Sequence, residues 1–412
     1  MILLSHPTGN EFVRAALDAF DRAGMLSEFW TTLSWNSKSP INRAVPRRLR
    51  EIVQRRSFPA TIRARTHTIP QREMIRLFAG TIGLASTHET GALSIDAVLR
   101  ELDRKVAGRL RKIEPPVALD SVYAYEDGAL ESFRAARDSG FKRIYDLPIA
   151  YWQTSRRLLL EEAERYPDWE PTLGATRDSD EKLSRKTQEL QLANLVVCPS
   201  RFVLESLPPE ACAQKQCLIA PFGSPDVDLG KAAGRSSGRL RVLFAGALTQ
   251  RKGLADLFAA MRLVNSKQIE LVVMGSLLCP LSWYRDRLAD FIYEPPRPHG
   301  EVLRLMQSCD VFILPSIVEG RALVQQEAMA CGIPVIATKN AGADDVIVDG
   351  ETGFLVPIRS PEALAEKISW CVANRALLDS MGIAAGKRAA ESNQCGIETR
   401  FCSARSVNEF LR

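Results

Sequence analysis

The stretch from Asp310 to Pro357 constrains the fold of this chain more than any other. It predicts a buried strand over Val311–Leu314, a loop that breaks at Gly320, a helix over Ala322–Cys331 and a second strand over Pro334–Thr338. Strand, loop, helix and strand form the βαβ unit of a doubly wound parallel sheet. Ligands of such sheets bind beyond the carboxyl ends of the strands, so the loop is where a site is expected.

Two carboxylates belong to this unit, Glu319 in the loop and Glu327 inside the helix. A helix rises about 1.5 Å per residue, so Glu327 is expected deeper along the wall of the site than Glu319. The neighbours of Glu327 are mostly small or apolar, and a partly buried carboxylate needs hydrogen-bond donors such as sugar hydroxyls. The residues alone leave a second interpretation open, in which Glu327 caps a neighbouring element and Glu319 is a solvated loop acid.

Residues 315–338 (PSIVEGRALVQQEAMACGIPVIAT) and 349–357 (DGETGFLVP) resemble the Glu-x7-Glu signature of the retaining glycosyltransferases of family 4. The resemblance implies the GT-B fold, in which two Rossmann-like doubly wound α/β domains face each other across a cleft. It also implies transfer of a sugar from a nucleoside diphosphate donor to an acceptor hydroxyl, with retention of the anomeric configuration. In that family the helix glutamate, here Glu327, binds the ribose, and the loop glutamate, here Glu319, contacts the donor sugar.

The donor loop departs from the family pattern. Relatives commonly have Glu-Gly-Phe-Gly-Leu, whereas in this chain Glu319 is followed by Gly320, Arg321, Ala322 and Leu323. The resemblance implies that these four residues contact the donor. The arginine beside the donor loop leaves the identity of the donor sugar open.

A second informative stretch is LRVLFAGALTQRKG, at residues 240–253. It predicts a strand that ends at Gly246, which is expected to contact the donor, and a short loop that brings Arg251 and Lys252 to the start of a helix. Basic side chains at a helix N-terminus suit a diphosphate, although a surface Arg-Lys pair often has no ligand. The stretch resembles the family pattern G-x-L-x-x-x-K-G, which favours the diphosphate and implies catalytic roles for Lys252 first and Arg251 second, beside Glu319. The usual arginine directly after the first glycine is Ala247 here.

Two further glycines follow predicted strands and are expected near the donor. Gly9 lies between a strand at 1–4 and a helix at 11–24, where the unpaired amides of a helix start can bind an anion. This loop has no G-x-G-x-x-G fingerprint, so an ordinary turn is the alternative, and only the resemblance implies a donor contact for Gly9. Gly275 follows a strand at 270–274, where relatives hold the base and ribose.

The length of 412 residues fits two domains of about 200 residues each. We expect an acceptor-side domain over 1–222, a nucleotide-sugar-binding domain over 223–390 and a helical tail over 391–412 that crosses back to the first domain. The N-terminus, MILLSHPTG, lacks the basic region of a signal peptide and predicts a first strand. No run approaches the ~18 apolar residues of a spanning helix, so a cytoplasmic protein is expected, with peripheral attachment to the inner face of the membrane as an option.

The cysteines and histidines do not indicate a metal site. Nine scattered cysteines without a Cys-x-x-Cys pair are typical of reduced thiols in the cytoplasm. None of the four histidines has the spacing of a zinc ligand set. We therefore expect neither a metal nor a cofactor, with the nucleotide-sugar acting as co-substrate.

Residues 43–72 contain nine arginines and a single acid, Glu51. A solvated helical face is one interpretation of this run. Docking to an anionic membrane is the other, because each basic residue near such a surface contributes about 1 kcal/mol. Nucleic acid is not expected as a partner, since the run lacks interleaved aromatic residues and the net charge of the chain is only +5.

The expected partners are therefore a nucleoside diphosphate sugar and a glycan or lipid-linked acceptor, in the synthesis of cell-surface glycans or glycolipids. Two other functions stay open: a non-catalytic subunit that binds nucleotide-sugar or a partner enzyme, and a nucleotide-sugar epimerase of the same fold. The small number of histidines argues against the epimerase. A nicotinamide-dependent oxidoreductase is disfavoured, because no glycine fingerprint follows any predicted strand.

Overall fold

The chain folds around two parallel β-sheets. The computed structural model describes residues 1–35, 56–81, 84, 88–113, 119–221, 223–225, 227 and 238–391. In the first sheet the strand order is β3-β2-β1-β4-β5-β6-β7, and in the second it is β10-β9-β8-β11-β12-β13. The strands are β1 (Ile2–Ser5), β2 (Leu26–Thr31), β3 (Thr66–Thr68), β4 (Ser121–Tyr125), β5 (Lys142–Asp146), β6 (Leu195–Cys198), β7 (Gln216–Ile219), β8 (Leu240–Ala245), β9 (Ile269–Met274), β10 (Ile292–Glu294), β11 (Val311–Leu314), β12 (Val335–Thr338) and β13 (Gly353–Val356).

Both sheets are doubly wound, since each runs outward in two directions from a central pair of strands. The switch points lie between β1 and β4 and between β8 and β11, and all the strand pairs are parallel. Sites in such sheets lie at the carboxyl ends of the strands beside the switch point. The helices are α1 (Glu11–Arg22), α2 (Gln71–Thr81), α3 (Ile95–Leu110), α4 (Leu130–Asp138), α5 (Trp152–Arg165), α6 (Asp180–Leu192), α7 (Arg201–Glu205), α8 (Pro209–Gln214), α9 (Leu254–Val264), α10 (Leu281–Arg285), α11 (His299–Gln307), α12 (Leu323–Ala330) and α13 (Pro361–Ala373). Residues 375–391 are helical as well.

The apolar runs of the strands are explained by burial on both faces of each sheet. In β1, Leu3 packs into one hydrophobic core of the first domain, whereas Ile2 and Leu4 pack into another. Successive side chains of a strand point to opposite faces, so a strand covered on both sides has no solvent-facing position. This is why the central strands carry continuous apolar residues instead of an alternating pattern.

The predicted elements of the central stretch are confirmed. The strand at 311–314 has the expected bounds, the helix predicted over 322–331 covers Leu323–Ala330, and the second strand covers Val335–Thr338. The boundary predicted after residue 222 falls between β7 and β8. The tail predicted over 391–412 lies outside the described residues except for residue 391.

One segment of the first half of the chain packs on the second domain. Trp169, in the 3₁₀ helix Pro167–Thr172 that follows α5, is 4% exposed and belongs to the hydrophobic core of the second domain. Its ring lies 4.9 Å from that of Trp283 and 5.8 Å from that of Phe258, measured between centroids. Residues 152–172 therefore connect the two domains behind the cleft.

The basic segment 43–72 is described only from residue 56 onward. Arg56 is buried and lies 2.6 Å from Glu73, and Arg65 and Arg72 pair with Asp21 and Glu101. These three arginines form ion pairs within the first domain, which a simple solvated face does not require. Within the described residues, no helix is both long enough and apolar enough to cross a bilayer.

Candidate functional site

A cavity of about 440 Å³ lies at the carboxyl ends of the second sheet's strands, where that sheet faces the first domain. Phe12, Pro148 and Ile149 of the first domain form one side of it. Nine of the predicted site residues line it: Gly246, Arg251, Lys252, Glu319, Gly320, Arg321, Ala322, Leu323 and Glu327. The structure thus brings together two stretches that are about 70 residues apart in the sequence.

Glycines fix the position of Lys252. The side chain of Lys252 lies over Gly246, where a Cβ atom would come within 2.9 Å of the lysine Cδ and Cε. Gly253 has a left-handed conformation (φ +72°), and a Cβ there would lie 2.0 Å from the carbonyl oxygen of Pro315. Any other residue at position 253 would strain the backbone and collide with the loop after β11. The spacing of Gly246, Lys252 and Gly253 is therefore a steric requirement of this turn.

Glu319 pairs with both predicted catalytic cations. Its carboxylate contacts Nζ of Lys252 and lies 3.1 Å from a guanidinium nitrogen of Arg251. The side chain of Glu319 is only 13% exposed, and burial alone would raise its pKa. Lys252 and then Arg251 outweigh this effect and lower the pKa of Glu319 to about 2. The site therefore contains two cations that face one permanently ionised carboxylate.

Arg251 also connects the two site loops by hydrogen bonds from its side chain and to its backbone. Its guanidinium donates to the carbonyl of Val318 at 2.9 Å, and its own carbonyl accepts from the amides of Ile317 at 2.9 Å and Val318 at 3.3 Å. These bonds hold residues 317–319 against the 3₁₀ turn Gln250–Lys252. Hydrogen bonds and ion pairs together make one rigid unit of the two loops.

Glu327 lies in the middle of α12 and faces the cavity. Its side chain is 13% exposed, and one carboxylate oxygen lies 3.7 Å from Nδ1 of His299, at the start of α11. Glu319 and Glu327 thus line the same cavity but differ in environment, since only Glu319 pairs with the two cations. Glu327 can therefore contact a different part of a ligand than Glu319 does.

The loop that follows Glu319 is pressed against the first domain. A Cβ at Gly320 would lie 1.8 Å from the carbonyl oxygen of Pro148, and the Gly320 carbonyl accepts a 2.6 Å hydrogen bond from the Ser200 hydroxyl. Arg321 lines the cavity, but its guanidinium is buried and one nitrogen lies 3.5 Å from both Pro199 O and Asp345 Oδ2. Arg321 therefore contributes its charge to the contact between the domains.

Gly9 and Gly275 are not among the residues that line the cavity. The amide of Gly9 donates to Nδ1 of His6 at 2.9 Å, and its Cα faces the ring of Phe58. Burial, helped by Arg56, lowers the pKa of His6 to about 3, so the ring is neutral and accepts this bond. In this structure the amide of Gly9 is engaged by His6, and the donor contact of Gly9 stays a prediction.

Gly275 packs under the loop that carries Gly246. A Cβ at Gly275 would lie 1.7 Å from the carbonyl oxygen of Gly246, so glycine is required for the loops after β8 and β9 to touch. Its amide donates to Glu294 O at 3.0 Å. Gly275 therefore contacts the neighbouring loop in this structure, and its contact with the nucleotide stays a prediction.

Several lining residues were not predicted from the sequence. Apolar side chains form much of the wall: Phe12, Pro148, Ile149, Met274, Val302 and Val324. Their sequence patterns are those of ordinary core positions, although Met274 stands at the end of the strand predicted at 270–274. Among the described residues there is no group of three His, Cys, Asp or Glu side chains that could hold a metal ion.

Comparison with known proteins adds a family-model match to part of the chain and a fold for the whole of it. Residues 229–388 match the family model of glycosyl transferases group 1. The capsular polysaccharide biosynthesis glycosyltransferase CapM of Staphylococcus aureus is 30% identical over 169 residues, which is 39% of this chain and 42% of CapM. A D-inositol 3-phosphate glycosyltransferase of Arthrobacter sp. (strain FB24) is 34% identical over 134 residues, 30% of this chain and 32% of the relative. The chain spans less than half the length of these relatives.

Solved structures match the whole chain. Sucrose-phosphate synthase of Thermosynechococcus elongatus has a TM-score of 0.68 and 18% identity, covering 100% of this chain and 98% of that one. Anabaena HepE in complex with UDP and glucose has a TM-score of 0.58 and 16% identity, with 99% of each chain covered. The chain therefore has the two-domain GT-B fold, and its second domain matches the glycosyl transferases of group 1.

Proposed function

We propose that this chain is a retaining glycosyltransferase of family 4, which transfers a sugar from a nucleoside diphosphate donor to an acceptor hydroxyl. The observation that carries the proposal is the convergence of Lys252, Arg251, Glu319 and Glu327 on one cavity at the carboxyl ends of the second sheet. The match of residues 229–388 to group 1 glycosyl transferases supports it.

The donor diphosphate would bind to Lys252 and Arg251. Both cations already hold an anionic group, the carboxylate of Glu319, in ion pairs. A diphosphate that takes the place of this carboxylate leaves Glu319 free to turn toward the hydroxyls of the donor sugar. Glu327, on the helix wall of the same cavity, would accept hydrogen bonds from the ribose.

The breaking bond places negative charge on the leaving diphosphate, and the two cations stabilise that charge. They are fixed by the glycine contacts and the loop hydrogen bonds, so the stabilisation is preorganised. The acceptor hydroxyl would attack on the face from which the leaving group departs, and the phosphate would take its proton. We propose that Lys252 and Arg251 supply the charge stabilisation for which other enzymes use a metal ion.

The acceptor is proposed to be a glycan or a lipid-linked saccharide of the cell surface. CapM, the relative named for capsular polysaccharide biosynthesis, supports this class. The first domain forms the opposite side of the cavity through Phe12, Pro148 and Ile149, which is where an acceptor would approach the donor sugar.

Membrane attachment through residues 43–72 stays a prediction. Residues 43–55 lie outside the described residues, and Arg56, Arg65 and Arg72 are engaged in ion pairs within the domain. Co-sedimentation with vesicles that contain phosphatidylserine, compared with neutral vesicles, tests it. Binding that is the same for both vesicle types, or absent, would reject an electrostatic docking surface.

The test of the function is thermal unfolding against UDP, GDP, ADP, CDP and their sugars, on the wild type and on Glu327→Ala. A ligand at about 100 times its dissociation constant adds roughly 2.7 kcal/mol to the free energy of unfolding. We expect one nucleotide to stabilise the wild type and the effect to shrink in the variant. NMR of the product in the presence of a chelator would then report the anomeric configuration and the metal requirement. Stabilisation by none of the nucleotides would favour a non-catalytic subunit.

A further inference from the structure

The turn that carries Arg251 and Lys252 is hydrogen-bonded to residues 152–172, the segment of the first half of the chain that packs on the second domain. The Thr249 hydroxyl donates to the carbonyl of Thr172 at 2.6 Å, and the amide of Gln250 donates to the Thr172 hydroxyl at 3.1 Å. Thr172 is buried at the end of the 3₁₀ helix Pro167–Thr172. The backbone directly before the two cations is therefore bonded to residue 172 and not only to its own domain.

Gln250 makes the central contact of this anchor. Its side chain is fully buried, and its amide nitrogen donates to Glu162 at 2.6 Å and to Asp256 at 3.0 Å. Its amide oxygen accepts from the backbone of Ala255, at the start of α9, at 2.8 Å. A carboxylate at this position would repel both acids, and an apolar residue would remove the donor that lies between them. Only an amide satisfies the three partners together.

Glu162 is in turn held by the second domain. Its side chain is completely buried, and its carboxylate contacts Nε of Arg359. Arg359 also lies 2.7 Å from Glu161 and donates to the carbonyl of Leu158 at 3.0 Å. On the second domain, Asp256 is paired with Arg165 at 2.7 Å. Carboxylates and guanidinium groups thus alternate across the contact, so each buried charge has a partner of opposite sign.

The same segment packs beside the second site loop. Leu158 and Leu159 of α5 belong to one apolar cluster with Ile317 and Val318, the two residues that precede Glu319. Displacing α5 would therefore disturb Glu319 as well as Arg251 and Lys252. Neither Glu162 nor Gln250 lines the cavity, so their influence on a ligand must pass through the loops.

We infer that Glu162 and Gln250 are positioning residues for the donor diphosphate. They hold Arg251 and Lys252 in position only while residues 152–172 are docked on the second domain. The inference rests on the proposed function for its ligand, but the anchoring itself does not. Donor affinity is then coupled to the arrangement of the two domains, because a first-domain segment holds the cationic turn.

The test uses Glu162→Gln in the full chain, with Glu189→Gln as the matched control. Glu189 is also a fully buried glutamate, and it accepts from the amides of Asp127 at 2.9 Å and Ala129 at 3.0 Å within the first domain. Hydrogen–deuterium exchange of residues 249–257 reports the anchoring without any ligand. Loss of a buried hydrogen bond to a charged group should speed exchange there by about tenfold or more, and only in Glu162→Gln.

Calorimetry with the nucleotide selected by thermal unfolding gives the second measurement. We expect Glu162→Gln to lower the affinity for the nucleoside diphosphate by about tenfold and the affinity for the nucleoside alone by less than twofold. Only the diphosphate contacts the cationic turn. A merely structural role would lower both affinities together. Thr172→Val, which removes only the hydroxyl under the Gln250 amide, is the milder variant should Glu162→Gln fail to fold.

A double variant that swaps the amide and the carboxylate between positions 250 and 162 tests whether diphosphate affinity can be rescued. Gln250→Glu should be the most damaging single change, because it places a carboxylate against Glu162 and Asp256, and adding Glu162→Gln should recover part of the diphosphate affinity. Unchanged exchange at 249–257 in Glu162→Gln and Thr172→Val would overturn the inference. If the exchange rises but no nucleoside diphosphate binds the wild type, the anchoring stands and the proposed function fails.

Discussion

Removing the charge of Glu319 should strengthen the binding of a diphosphate. The cations lower the pKa of Glu319 from 4.5 to about 2, although the side chain is nearly buried. At about 1.4 kcal/mol per pH unit, the carboxylate is stabilised by roughly 3 kcal/mol in the folded state, net of burial. A diphosphate must replace this interaction at Lys252 and Arg251, so Glu319→Gln should tighten diphosphate binding by 10- to 100-fold, on the order of this energy.

The same ion pair should appear in the acid stability of the protein. Because the folded pKa of Glu319 is lowered, its contribution is complete above about pH 4.5 and is lost as the pH falls toward 2. Glu319→Gln should therefore be less stable than the wild type at pH 7, by up to about 3 kcal/mol. The difference between the two should shrink as the pH falls through this window.

Isothermal titration with the preferred nucleoside diphosphate and with pyrophosphate, at pH 7, measures the effect. Glu327→Gln is the matched control, since it removes a carboxylate from the same cavity without unpairing the two cations. The control should bind the nucleotide more weakly and pyrophosphate equally well. Equal or weaker pyrophosphate binding by Glu319→Gln would refute the competition, because the carboxylate would then stay on the cations in the complex.

Three further predictions follow from the geometry. Glu327→Ala should lower the affinity for the nucleoside diphosphate by about tenfold, because ribose hydrogen bonds are lost, and calorimetry measures this. An undiminished affinity would exclude Glu327 from the donor site. Lys252→Ala should lower kcat by about 10²- to 10³-fold, more than it raises KM, in a steady-state assay with the identified donor; an effect on KM alone would restrict the lysine to binding. Gly320→Ala should cost about 1–3 kcal/mol of stability in denaturant unfolding, because its Cβ would meet Pro148 O at 1.8 Å, whereas Gly300→Ala has open space and should cost little; equal stabilities would contradict the tight domain contact.

The sequence was sufficient for elements that local pattern determines. Strands β8, β11 and β12 are mostly apolar, because helices and loops cover both faces of the sheet, and glycine or proline stands next to each of them. Gly253 and the lysine before it could be recognised from spacing, since the turn tolerates no Cβ at residue 253. Such features depend on residues close in the chain, which a sequence displays directly.

Contacts between distant residues could not be derived in the same way. The pairing of Glu319 with Lys252 joins residues 67 positions apart, and both had been assigned separately to the donor. Gln250 stands in the polar run TQRKG and has the appearance of an exposed loop residue, yet it is fully buried against Glu162. Trp169 carries no local sign that its ring enters the core of the other domain.

The first domain fixes the backbones of both site loops. The ion pair between the loops is therefore the part that must change when a donor binds. Thr172 and Glu162 hold the turn before Arg251, and Ser200 holds the carbonyl of Gly320. With the backbones fixed, an incoming anion can reach the cations only by taking the place of the Glu319 side chain. A diphosphate offers several charged oxygens to two cations and can replace one carboxylate with a gain, whereas a nucleoside offers none. An internal carboxylate on the two cations would thus favour a diphosphate over more weakly charged anions, and Glu319→Gln should allow an anion as weak as a single phosphate to bind.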